Sequence, residues 1–301
     1  MKMVRWCRHK GLTLPEVLVL IFLFVIATTI LLPWAARIRS PHMRLTCGIK
    51  LSGIGKAMLV YGNDYQGRLP RAGGRNSSWA TRTPNWTAKD RFDAFALDPN
   101  GEGGEATISA NLYLLVKYAE VPPKGFLCID RKGIVEKGMS IFKADRYQLH
   151  ERELTDLWDF GPSPWLHCSY AYHMLYGTDT LTTWGNHRFA IAADRNPWMD
   201  SPPAAAGDFS GFQPDIPPFT GTSEQAHFGN TSSHQEDGQN VMFLDTHVEF
   251  KKRPFCGLDD DNIYTSWNGD DKARGVPPKL GSVPADAGDS LLVNDPVGPS
   301  K

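Results

Sequence analysis

The stretch from Val17 to Ala36, VLVLIFLFVIATTILLPWAA, contains 20 residues and no charged side chain. As an α-helix it would be about 30 Å long, which matches the hydrocarbon thickness of a bilayer. Two alternatives are disfavoured, because a buried soluble helix is rarely apolar all round for so long and a secretory signal peptide has a shorter apolar region. We therefore expect residues 12–36 to form a transmembrane helix.

The charges that flank this run predict its orientation. Four cations and no acid precede Gly11, namely Lys2, Arg5, Arg8 and Lys10. Because positive residues accumulate on the cytoplasmic side of a membrane, the N-terminus is expected in the cytoplasm. This arrangement predicts a single-pass protein of the cytoplasmic (inner) membrane with an extracytoplasmic, periplasmic C-terminal head.

The composition disfavours several classes of protein. The chain has 301 residues, and 32 Lys and Arg against 33 Asp and Glu leave a net charge of -1. With no overall positive field to attract phosphates, we expect no nucleic acid as a partner. A hydrophobic content of 41% argues against wholesale disorder, and 28 Gly with 22 Pro predict a turn-rich body rather than a helical bundle.

The residues before the apolar run form a motif. Gly11-Leu12-Thr13-Leu14-Pro15-Glu16 resembles the prepilin cleavage and methylation signature of type IV pilins and type II secretion pseudopilins, although Leu12 replaces the commoner Phe and Pro15 a usual aliphatic residue. The resemblance implies that a prepilin peptidase cuts after Gly11 and that Leu12 becomes N-methylated. It also implies a role in assembly for Glu16, since a carboxylate in an apolar environment would pair with the α-amine of a neighbouring subunit.

An apolar stripe continues beyond the run. Cys47, Leu51, Ile54, Met58 and Tyr61 follow one another at steps of 4, 3, 4 and 3 residues, which places them on one face of a helix. This spacing predicts an amphipathic stalk helix that packs on a globular head. The expected domain plan is a leader at 1–11, the transmembrane helix at 12–36, the stalk helix at 37–66, an α+β head at 67–280 and a C-terminal tail at 281–301.

The head contains short apolar or alternating segments between Gly- and Pro-rich loops. Residues 110–119 predict a helix, and residues 169–172, 189–193, 241–244 and 247–250 predict strands. The last two strands would form a hairpin about Asp245-Thr246. A type I′ turn needs a positive φ at the position of Thr246, so a threonine there predicts either a different turn type or backbone strain. The expected fold class is α+β, with a long N-terminal transmembrane and stalk helix packed on an antiparallel β-sheet head with long loops.

Two regions resemble a family of pilin-like proteins, a domain family whose function is largely unknown. After its prepilin helix the family has a Cys, an Ile-Gly-x-Ala helix and Tyr-x-Asn-Asp-x-x-Gly-x-x-Pro, which Cys47, residues 54–57 and residues 61–70 match. Near its C-terminus it has a His, Gly-x-Asn, an apolar strand and Asp-Gly-His-Val. Residues 234–250 match this second pattern, except that Thr246 replaces Gly.

The C-terminal motif also carries candidate metal ligands. His234, Asp245 and His247 combine imidazole and carboxylate groups that could bind one metal ion. The acidic run that contains Asp259 and Asp261 could coordinate Ca²⁺, although it lacks the EF-hand spacing. Because a hairpin of this kind needs an Asp at its turn and polar residues on its exposed face in any case, a structural role is the favoured interpretation and we expect no obligatory cofactor.

The cysteines allow several disulfides. Cys7 would leave with the leader, and Cys47, Cys128, Cys168 and Cys256 then remain as an even number with three possible pairings. We favour a Cys128–Cys168 bridge, with Cys47 as a buried thiol on the stalk stripe.

Two functions follow from these patterns. The first is a membrane-anchored, pilin-like structural subunit without enzymatic activity, which assembles in or with a type IV pilus or type II secretion pseudopilus-like system. Its partners would be prepilin peptidase, other pilin-like subunits and the membrane. The alternative is a membrane-tethered extracytoplasmic metal-binding module or enzyme that uses the pilin export route. It is disfavoured because Walker A, G-x-S-x-G, H-E-x-x-H and C-x-x-C motifs do not occur.

Overall fold

The computed structural model describes residues 13–128, 138–176, 181–199, 207–267, 269 and 271–296, and for residues 30–41 it describes the backbone alone. The predicted cleavage site at Gly11 and Leu12 lies outside these residues. Contacts divide the chain into two compact units, Met1–His42 and Met43–Lys301. The first helix, α1, runs from Leu14 to Asp64.

The structure corrects the expected membrane segment. Within the described residues we find no helix whose length and hydropathy would let it span a bilayer. The prediction of a long N-terminal transmembrane helix at residues 12–36 is therefore wrong. The predicted location, a single-pass protein of the inner membrane, depended on that helix and is wrong as well.

The predicted stripe of α1 is confirmed. Cys47, Leu51, Ile54 and Met58 are at most 1% exposed, and Tyr61 is 7% exposed. All but the cysteine belong to one large apolar core of the second unit. The stripe is therefore a packing face of the folded unit.

The other helices and strands are short. The helices are α2 Arg91–Phe95, α3 Ile108–Ala119 and α4 Ser223–His227. The strands are β1 Ser78–Trp79, β2 Glu105–Ala106, β3 Tyr170–His173, β4 Ala190–Asp194, β5 Gln239–Phe243, β6 Val248–Lys251 and β7 Leu292–Val293. Short 3₁₀ helices lie at Pro123–Phe126, Ala144–Tyr147, Leu154–Asp156, Pro164–Leu166, Pro197–Met199, Phe209–Gly211, Ser233–Glu236 and Leu258–Asp260.

The main sheet is antiparallel and has five strands in the order β6-β5-β4-β3-β7. The predicted hairpin is confirmed as β5 and β6, in which Met242 pairs with Val248. Its turn residue Thr246 has a φ of +69°, so the strain expected for a β-branched residue at this position is present. A separate parallel pair joins β1 and β2.

Both faces of the sheet are covered. Tyr170, Tyr172 and Met242 belong to the core that also contains the α1 stripe and α3. The residues that alternate with them, such as Ala171 and Val241, belong to a second core with Phe212 and Tyr264. Burial on both faces explains why β4 is apolar up to Asp194 and why β5 ends in three consecutive apolar residues.

The C-terminal segment fixes the start of α3. Asp295 Oδ1 accepts hydrogen bonds from the Ile108 amide at 2.7 Å and from Trp79 Nε1 at 3.2 Å, and its Oδ2 accepts one from the Ser109 amide at 2.8 Å. A carboxylate at this position satisfies amides that a helix start leaves unpaired and complements the helix dipole. The tail is thus an integral part of the second unit.

A second buried acid lies beside it. Asp159 accepts hydrogen bonds from the hydroxyls of Thr83 at 2.7 Å, Thr107 at 2.6 Å and Ser109 at 3.0 Å. Burial, together with the nearby charge of Asp295, raises the pKa of Asp159 to about 7. The carboxyl group therefore changes its protonation near neutral pH.

Replacement of Leu51 by Ala should lower the free energy of unfolding by about 2–5 kcal/mol, because the side chain is fully buried and leaves a cavity. The matched control is Leu45→Ala on the same helix, which is 65% exposed and should change stability by less than about 0.5 kcal/mol. Guanidinium denaturation of both variants measures the difference. Similar losses for the two would contradict the assigned packing face.

Asp159 predicts a pH dependence of stability. Its folded-state pKa of about 7 lies above the ordinary value of 3.8, so its stabilising effect is complete below pH ~4, falls as the pH rises from ~4 to ~7, and levels off above the folded pKa. Between pH ~6.5 and ~8 the wild type should lose about 1 kcal/mol more than Asp159→Asn, whose amide stays neutral. Denaturation at the two pH values tests this, with the exposed Asp93→Asn variant as the control that should keep the wild-type slope.

Candidate functional site

The N-terminal part of α1 presents apolar side chains to solvent on all sides. From Leu14 to Ile26 its large apolar residues are between 40% and 76% exposed, and they follow one another without interruption from Val17 onward. Successive residues of a helix point about 100° apart, so this surface surrounds the helix instead of forming a stripe. We call residues 14–26 the apolar segment.

Glu16 is the one charged residue between positions 13 and 29. Its Oε2 accepts hydrogen bonds from the backbone amide and the hydroxyl of Thr13, both at 2.8 Å. These bonds lower the pKa of Glu16 from its usual value, so the side chain is a carboxylate at neutral pH. A fixed negative charge therefore lies at the start of the apolar segment.

The predicted ligand His234 is buried in the second unit. Its Nε2 lies 3.2 Å from Asp194 Oδ2 and 3.4 Å from Asn240 Nδ2. The backbone amide and Nδ2 of Asn240 donate to the same carboxylate oxygen at 2.7 and 3.0 Å. Asp194 ends β4 and Asn240 lies in β5, so the three side chains join the loop before the hairpin to the centre of the sheet.

Asp194 was not among the predicted site residues. Its position directly after the apolar run 189–193 was a weak indication of a role, because an acid at the end of a buried strand usually needs a hydrogen-bond or charge partner. Its Oδ1 is buried and has no hydrogen-bond partner within the described residues. The interaction with His234 joins residues that are 40 positions apart, and short-range motifs do not reveal such a contact.

The disulfide that the structure contains differs from the expected one. Cys47 of α1 is bonded to Cys128, and their Cα atoms lie 5.4 Å apart, within the range that a disulfide allows. The favoured Cys128–Cys168 pairing is therefore corrected: Cys168 is a buried free thiol whose Sγ donates to the Tyr170 carbonyl at 3.5 Å. Burial raises the pKa values of the Cys168 and Cys256 thiols to about 12, so neither is a reactive thiolate at neutral pH.

The predicted metal ligands lie in different environments. Asp245 and His247 hydrogen-bond to each other on the exposed turn, where the His247 ring stacks on Phe243 with a centroid distance of 4.5 Å. Asp259 is exposed and lies 3.6 Å from Lys272 Nζ. Asp261 is buried, accepts the Ser290 amide at 2.9 Å, and has its pKa raised to about 7, mainly by burial. Within the described residues, none of these three aspartates, nor His247, lies close enough to His234 to bind one metal ion with it.

The described part of the chain holds one group with metal-ligand geometry, Cys47, Cys128 and His234, whose ligand atoms lie within 4.8 Å of one another. Both sulfurs are bonded to each other, and a disulfide offers no thiolate to a metal. The cluster therefore acts as a structural link between α1, the sheet and the loop at residue 128.

No family model, no curated protein and no solved structure matches the chain.

Peptide mapping under non-reducing conditions should recover Cys47 and Cys128 in one linked fragment. Replacing both by Ser should lower the free energy of unfolding by about 2–4 kcal/mol, because the bond closes a long loop in the unfolded chain. Cys256→Ser serves as the control that leaves the map unchanged. A fragment that links Cys128 to Cys168 would contradict the assignment.

Proposed function

We propose that this chain is a structural subunit, processed by prepilin peptidase, that assembles through its apolar segment with other copies or related pilin-like subunits in a pilus or pseudopilus-like filament. The observation that carries the proposal is the exposure of consecutive apolar side chains from Leu14 to Ile26. Large exposed apolar surfaces mark interaction sites, since soluble monomers rarely carry them. The subunit performs no covalent chemistry in this proposal.

The distribution of the apolar surface favours a filament over a dimer. A single partner helix covers only one side of a helix, whereas the apolar segment is exposed around its whole circumference. Contacts with several neighbouring copies would cover it. Repetition of one such contact by a rotation that does not close generates an open helical array.

Glu16 supports a defined register in such an array. A carboxylate enclosed by apolar side chains is costly unless a cation lies beside it. The resemblance to prepilins supplies a candidate, because cleavage after Gly11 would create an α-amine at Leu12. Pairing of this amine with Glu16 of a neighbouring subunit would align successive copies.

The second unit supports a role as the displayed part of the subunit. It has its own apolar cores, a five-stranded sheet and a disulfide, all within residues 43–301. Its folding therefore does not require the side chains of the apolar segment. This separation suits a subunit in which one segment assembles and the other is presented.

The full chain should sediment as large species in detergent-free buffer, and Phe22→Asp should shift it toward the monomer by placing a charge among apolar neighbours. Phe22 is 65% exposed, so the change does not disturb a core. The matched control is Ile141→Asp, an exposed apolar residue of the second unit, which should leave sedimentation unchanged. A monomeric wild type, or equal assembly of both variants, would refute the proposal.

A further inference from the structure

A cavity of about 290 Å³ opens on the second unit, and its lining contains neither the disulfide cysteines nor His234. Its walls come from the C-terminal end of α1, the chain at 68–75, the start of α2, and α3 with Trp158. The volume lies at the lower end of the range for small-molecule sites, which is enough for a one-ring molecule.

The charged side chains that line the cavity are all positive. Four arginines line it, Arg68, Arg71, Arg75 and Arg91, and among the described residues no aspartate or glutamate does. Within the described part of the chain none of the four forms a salt bridge. Four like charges around one cavity repel each other, so an anion inside it would stabilise the arrangement.

Of the four arginines, Arg71 gives the strongest evidence that the cavity binds an anion. It is half-buried, and its Nε is enclosed without a hydrogen-bond acceptor among the described residues. Burial and the charges of Arg91 and Arg75 lower its pKa, whereas Tyr176 raises it. A buried donor without an acceptor is costly, and a guanidinium group matches the two oxygens of a carboxylate or phosphate.

Arg91 is held at the edge of the cavity by the fold. Its guanidinium donates a hydrogen bond to the Gly73 carbonyl, which belongs to the same lining. Because this bond uses a backbone acceptor, the positive charge stays unneutralised. The position of at least one cation is therefore set before any ligand binds.

The lining also contains aromatic side chains. Tyr61 and Tyr65 stack with ring centroids 4.1 Å apart and an interplanar angle of 12°, and Tyr118 lies 5.8 Å from Tyr65. Tyr65 and Tyr118 are exposed, whereas Tyr61 is buried. Burial raises the pKa of Tyr61, so its phenol stays neutral beside the arginines. Exposed aromatic rings at a cavity rim can pack against a planar or apolar ring.

From the arginines and the tyrosines together, we infer that this cavity binds a small molecule in which a carboxylate or phosphate is attached to a ring. The oxyanion would lie against Arg71 and Arg91, and the ring against Tyr65 and Tyr118. This activity is separate from assembly through the apolar segment, so either function can fail without the other.

Isothermal titration of the full chain can test the inference with four probes. Phenyl phosphate and benzoate carry both a ring and an oxyanion, benzyl alcohol carries the ring alone, and inorganic phosphate carries the oxyanion alone. At least one of the first two should bind with a Kd below about 1 mM and more tightly than the last two, and the comparison between them distinguishes phosphate from carboxylate. Binding should weaken as salt is raised.

Arg71→Gln should weaken the binding of the better probe at least about tenfold, while Arg188→Gln, an exposed arginine outside the cavity, should change it less than about twofold. Arg68→Gln at the exposed rim should also weaken binding, which keeps the test valid if Arg71→Gln does not fold. Three results would overturn the inference: no ring oxyanion binds, benzyl alcohol binds as tightly as phenyl phosphate and benzoate, or the Arg68 and Arg71 variants bind like Arg188→Gln.

Discussion

The second unit depends on the burial of one face of α1. Its strands contain only two to five residues each, and such short strands bury little surface by themselves. The stripe from Leu51 to Met58 supplies the missing apolar area. Close approach is possible because Gly55 faces Met242 and Thr246, where an added Cβ would lie 3.0 Å from Thr246 Cβ. One hydroxyl group of the sheet also bonds to the helix, since Tyr170 donates to the Cys47 carbonyl at 3.1 Å.

The same unit closes at its C-terminus through buried polar groups. β7 pairs with β3, and Asp295 two residues later binds the start of α3. Asn196 extends this connection, because its Nδ2 donates to the carbonyls of Tyr264 and Leu292, both at 2.8 Å. Buried polar groups of this kind are tolerated because each has a partner, and they select one arrangement of loops that carry little regular structure.

Local patterns explain what could be predicted from the sequence. The stripe of α1, helix α3, strands β3 and β4 and the hairpin β5-β6 all have periodic apolar residues, and the structure contains each of them. Long-range contacts explain what could not. The partner of Cys128 and the contact of His234 with Asp194 depend on how distant segments meet, and the cavity forms only where residues 68–75 meet α2, α3 and the end of α1. Hydropathy alone predicted a membrane-spanning helix at residues 12–36, whereas the described residues contain no helix that could cross a bilayer.

The bond between Cys47 and Cys128 also determines how the second unit would bear mechanical tension. A pull along α1 reaches Cys47 and passes through covalent bonds directly to Cys128, so the chain between them carries no load. These cysteines are 81 positions apart, and a segment of that length would extend by about 270–290 Å if it unravelled. The helices α2 and α3 lie inside this protected loop. The disulfide thus limits the extension of the second unit under a pull on α1, in addition to lowering the entropy of the unfolded chain.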